Sequence, residues 1–137
     1  MRGIGSLSNS NLNSVWEDLI ISILSVNNYP IDKTLKAVKS LRASGVLDVI
    51  NLGKWEATKI AEQLKNGEYD RGPFLNHHFA ERLAALGTFV KSRGKKECEK
   101  ILDSKNPNEI KRLLRRVKGI GPKVLSSYFS LRGIKEN

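Results

Sequence analysis

The chain has 137 residues, 39% of them hydrophobic, with 24 Lys/Arg against 14 Asp/Glu, a net charge of +10 and a pI near 9.9. That is the size of one ordinary domain, too apolar for a disordered tail, and no apolar run approaches the roughly 20 residues of a membrane-spanning helix. The charge points to a polyanionic partner, nucleic acid or an acidic membrane surface.

In chain order, the first residues carry no helical pattern, and 1–13 are expected to form a flexible tail. Met1 to Ser6 lacks an apolar core of signal-peptide length, so an intracellular protein is expected, in cytoplasm, nucleoid or nucleus. Ser14-Val15-Trp16-Glu17 reads as a capping box, with Leu19, Ile20, Ile23 and Leu24 recurring at helical spacing behind it. This predicts a buried helix over 15–26. A second helix opens near Pro30, carries Leu35, Val38 and Leu41, and stops before Gly45. A short helical turn is expected over 46–51 and a helix over 54–65, with Trp55, Ile60 and Leu64 on its inner face.

Asn66 to Asn76, rich in Gly, Pro and charge, reads as a loop. A long helix over 76–92 follows, with Phe79, Leu83, Leu86 and Val90 as its stripe. The next, over 95–103, places the lone Cys98 on an apolar face, where it reads as a small core residue. Asn106-Pro107-Asn108-Glu109 caps a helix that carries Ile110, Leu113, Leu114 and Val117 inward. Gly119-Ile120-Gly121 breaks it, and Pro122 starts a last helix with Val124, Leu125, Tyr128 and Phe129 on one face. The expected fold is all-α: one compact multi-helix bundle or barrel over 14–137, with a helix-hairpin-helix at 107–132.

The hairpin is also where the charge collects. Residues 107–137 hold eight Lys/Arg against two Asp/Glu, more than half of the chain's excess. Glycine permits a tight turn with positive φ and lets backbone N–H groups approach a ligand closely. Ile120 would pin the turn to the core. Pro122 at the first helical position leaves the following N–H groups free, and a helix N-terminus with free N–H groups attracts anions. Gly119, Ile120, Gly121, Lys118, Arg115 and Arg116, with Arg112 and Lys123 beside them, are therefore candidates for binding a DNA backbone phosphate.

From Trp16 to Ile134 the chain resembles the endonuclease III-like helix-hairpin-helix DNA glycosylases of base-excision repair. Val117-Lys118-Gly119-Ile120-Gly121-Pro122-Lys123 carries the resemblance most specifically. It implies that Lys123, two residues after the second glycine, is the catalytic amine that attacks C1′ of a damaged nucleotide. Leu24-Ser25-Val26-Asn27 resembles the end of the family's first barrel helix, which implies that Asn27 fills the gap left by a flipped base. Phe74-Leu75-Asn76-His77 resembles the wedge loop, which implies that Leu75 enters the base stack. His77 and His78 read as exposed residues at a helix start.

The partner so implied is double-stranded DNA, damaged or abasic, with no cofactor or metal and no membrane. The family's catalytic aspartate would fall past Asn137, and Lys123-Val124-Leu125 stands where the family has Lys-Thr-Ala. Three readings follow: a glycosylase or abasic-site lyase, with a second chain completing the fold if need be; a non-catalytic DNA-binding module; or a helical interaction domain with an incidental basic face.

Overall fold

A computed structural model describes residues 13–26 and 29–136. Residues 1–12 of the expected tail lie outside the described residues. The described residues form helices and connecting turns, with no strand among them. In chain order these are α1 (Val15–Leu24), α2 (Ile31–Lys36), α3 (Val38–Ser44), α4 (Val49–Lys54), α5 (Ala57–Asn66), α6 (Pro73–Arg93), α7 (Lys95–Asp103), α8 (Pro107–Leu114) and α9 (Pro122–Arg132). None is long and apolar enough to cross a membrane.

α6 is the spine. At 21 residues it is about 30 Å long, and α4 and α5 pack along it, with α1 and α7 also against it. The α4–α6 crossing is close because both helices present glycine there. A Cβ on Gly87 would stand 2.3 Å from the Leu52 carbonyl carbon and 2.4 Å from the Gly53 nitrogen. The two backbones meet where side chains would hold them apart.

α1 is the most enclosed element, with every residue but Glu17 buried. Ser14 Oγ accepts from the Glu17 N–H at 3.0 Å and Glu17 Oε1 accepts from the Ser14 N–H at 3.0 Å, closing the expected capping box. Asp18 lies in the same turn and is fully buried. Arg132, near the end of α9, donates to Asp18 Oδ2 at 3.0 Å, and Asn13 donates to Oδ1 at 3.1 Å. This pair ties the two ends of the chain's helical part together.

Several boundaries differ from expectation. α1 ends at Leu24 rather than 26. The second predicted helix is two, bent at Ala37, where the N–H turns to the Thr34 carbonyl in a tighter turn. The helix predicted over 46–51 lies at Val49–Lys54, with Asp48 as its cap, and α5 starts after Trp55. The predicted Asn66–Asn76 loop ends early, because Pro73 already occupies the first position of α6. The loop's Tyr69 is fully buried, its hydroxyl donating to the Leu24 carbonyl at 2.6 Å. Cys98 is buried as expected, and burial pushes its thiol up.

Candidate nucleic-acid interface

The corner between α8 and α9 is built by local chemistry. Asn106 Oδ1 accepts from the N–H of Asn108 at 3.1 Å and of Glu109 at 3.2 Å, which starts α8. The reciprocal half of the expected cap is made by Ser104, whose Oγ accepts from the Asn106 N–H at 3.2 Å. α8 then buries Ile110, Leu113 and Leu114 and stops sooner than predicted. Beyond Leu114 the chain tightens into three-residue turns, with Arg116 N–H to Leu113, Val117 N–H to Leu114 and Ile120 N–H to Val117. Val117 and Ile120 are buried, so the corner is pinned to the core at both ends, as expected of Ile120.

The two glycines do different work. Gly119 has φ +95°, a conformation that favours glycine. Its bare face is filled from within: a Cβ there would stand 2.8–3.1 Å from atoms of Arg82. Arg82 Nη1 donates to the Gly119 carbonyl at 2.9 Å, and its Nε donates to His78 Nε2 at 3.0 Å. So Gly119 is needed for the turn and for its neighbour, a reason for glycine that is separate from close approach of a ligand. Gly121 is extended, at φ −112° and ψ −169°, and a Cβ on it would meet nothing within 4 Å. Neither packing nor backbone strain within the described residues requires glycine there.

Gly121 is the N-cap of α9, Pro122 is the first helical residue, and no side chain caps the helix. Among the described residues, the backbone N–H groups of Gly119, Gly121, Lys123 and Val124 meet no acceptor. Arg115, Arg116, Lys118 and Lys123 are exposed and make no ion pair among the described residues. Beside the corner is a cavity of about 350 Å³ lined by His78, Glu81, Arg82, Ala85, Lys118 and Gly119.

The other expected site residues are less gathered. Asn27 lies outside the described residues. Just before it, the Val26 carbonyl accepts from Arg71 Nη1 at 3.0 Å; just after, the Tyr29 ring lies 4.5 Å from the Arg71 guanidinium. Burial pushes the neighbouring Tyr69 hydroxyl up to about 12, against the opposing pull of Arg71. Leu75 sits in the first turn of α6, not in a loop, and packs against the core. Asn76 is buried, accepting from the Arg71 N–H at 2.8 Å and donating to the Tyr69 carbonyl at 2.8 Å. The exposed apolar side chain of this segment is Phe74, at 81%.

Sequence reasoning gave Phe74 and His78 no site role of their own and did not name Arg82. They recur every four residues along α6, and that spacing could have marked one face of the helix. His78 is half-buried against Arg82 rather than simply exposed. Arg82 is seven residues beyond Leu75, so the corner and the first turn of α6 are about 10 Å apart along one helix. No ion pair or hydrogen bond among the described residues joins Lys123 to Leu75 or to a carboxylate.

Compared with known proteins, the chain matches no family model, no curated protein and no solved structure.

Proposed function

We propose that the protein binds duplex DNA through the α8–α9 corner and acts on damaged or abasic sites in the manner of the endonuclease III-like glycosylases. The observation that carries the binding half is Gly121: an open, unstrained backbone position joined to an uncapped helix start, inside the most basic segment of the chain. A backbone phosphate seated there would accept from the free N–H groups, with Arg115 and Lys118 neutralising neighbouring phosphates. A side chain on Gly121 would stand where that phosphate approaches. Phe74, rather than Leu75, is the side chain available to stack against an exposed base.

The test is fluorescence anisotropy with a short labelled duplex at low salt. Wild type binds, with affinity falling steeply as salt rises. Gly121→Val keeps its melting temperature and binds about tenfold or more weakly, about 1.4 kcal/mol or more. Equal binding by the two proteins refutes the reading.

The chemical half rests on Lys123, whose amine is exposed and in no ion pair among the described residues. The neutral amine would add to C1′ of a ring-opened abasic site and lose water to give an imine. Removal of a C2′ proton would then expel the 3′ phosphate. Borohydride with abasic DNA traps this imine as a covalent adduct, absent in Lys123→Ala. Intact binding without an adduct identifies a non-catalytic DNA-binding module instead.

A further inference from the structure

We propose that the cleft lined by Arg93, Arg112 and Arg116 is a second phosphate-binding point, engaging a backbone phosphate beyond those at the α8–α9 corner; this rests on the DNA-binding reading above.

The cleft has a volume of about 320 Å³ and is walled by Ile101, Glu109 and Leu113 besides the three arginines. The arginines come from separate parts of the fold: Arg93 ends α6, Arg112 lies in α8, and Arg116 follows α8 by two residues. None of the three makes an ion pair among the described residues, although Glu109 shares the lining. Three like charges converging without a carboxylate partner repel one another. An anion between them turns that repulsion into attraction. Guanidinium groups suit phosphate oxygens because each presents a planar fork of N–H donors.

The position of the cleft supplies the spacing. Arg82, which holds Gly119, and Arg93, which lines the cleft, are eleven residues apart on α6. Eleven residues are close to three full turns, so both lie on the same face, about 16 Å apart. A duplex laid against both points meets a separate backbone phosphate at each.

Phosphate could come from a DNA strand or from a free anion, and the test separates them. Anisotropy over a salt series compares wild type with a triple variant, Arg93→Gln, Arg112→Gln and Arg116→Gln, on a duplex long enough to span both points. The expected result is a salt slope shallower by about 2 to 3, at about 0.9 for each lost phosphate contact. A control triple replaces three other exposed lysines, Lys36, Lys54 and Lys91, by Gln and keeps the wild-type slope. Lys91 lies on the opposite side of α6 from Arg82. If the arginine triple variant does not fold, Arg112→Gln alone should lower the slope by about 1.

An unchanged slope with binding retained overturns the cleft and leaves the corner standing. An equal loss in the lysine control overturns it too, because the effect is then only overall charge. Inorganic pyrophosphate binding that the arginine triple abolishes, with the DNA slope unchanged, assigns the cleft to a free anion and also overturns the proposal. If wild type binds no duplex at low salt, both readings fall together.

Discussion

Arg82 and Gly119, 37 positions apart in sequence, are fitted to each other: the guanidinium donates to the glycine carbonyl at 2.9 Å while the side-chain stem occupies the space a Cβ would need. This links the long helix α6 to the corner before α9. The corner is therefore held from the side and not only by its own turns.

Gly119→Ala should destabilise the protein. The substitution forces an L side chain into positive φ and pushes on Arg82. The conformational part alone costs about 1–2 kcal/mol. Urea unfolding should show this loss, while Gly121→Ala, with open space and extended backbone, stays within about 0.5 kcal/mol of wild type. Equal effects at the two glycines would contradict the account of the corner.

Arg82→Lys keeps the charge but loses the fork that reaches both His78 and Gly119. Stability should fall by about 1 kcal/mol. Hydrogen exchange at the Ile120 amide, which closes the corner's last turn, should quicken. No change in that amide would mean that Arg82 is incidental to the corner.

Gly87→Ala should be among the most damaging changes available. Its Cβ would meet backbone atoms of Leu52 and Gly53 at 2.3–2.4 Å, and no side chain can swing away to make room. Overpacking typically costs about 1–3 kcal/mol, and separating two helices falls at or above the top of that range. Thermal unfolding checks it.

The two carboxylates in the first turn of α1 predict a pH signature with two signs. Burial, the largest influence on Asp18, pushes its carboxyl up, and Arg132 and Asn13 only partly oppose it. Its contribution to stability is therefore full below the ordinary aspartate value and lost as pH rises through the raised one. Asp18→Asn should gain on wild type over that rise. At Glu17 burial also pushes up, but Arg42 and the Ser14 N–H together outweigh it and hold the carboxyl below its usual value. Glu17 thus stabilises above the ordinary value, and this is lost as pH falls through the lowered one. Glu17→Gln should lose most near neutrality, with the gap closing in acid. Arg132→Met, which strands the buried Asp18 carboxylate, should cost about 3 kcal/mol at neutral pH. Urea unfolding across the pH range measures all three.

The helices and their inner faces were legible because apolar residues at helical spacing are a property of each segment alone. The capping residues Ser14 and Asn106 were legible for the same reason. What depends on distant segments was not. Tyr69 reads as one aromatic in a polar loop, and its bond to Leu24, 45 positions away, and its edge contact with the Phe79 ring are what hold it in the core. The bend at Ala37 has no glycine or proline to announce it. Pro73 was a signal for the start of α6, hidden by the loop-like composition around it. At the candidate site the glycine pattern marked the corner, yet the division of labour between Gly119 and Gly121 depends on Arg82, which sequence spacing does not connect to either. The tilt from Leu75 to Phe74 likewise follows from which side of the first turn of α6 meets the core.

The most direct measurement is a titration of isotopically labelled protein with a short duplex, followed through backbone amide resonances. The account predicts that the amides of Gly119, Gly121, Lys123 and Val124 shift most, saturably and less at higher salt. Duplex that binds while those amides stay fixed, or that fails to bind at low salt, would contradict it.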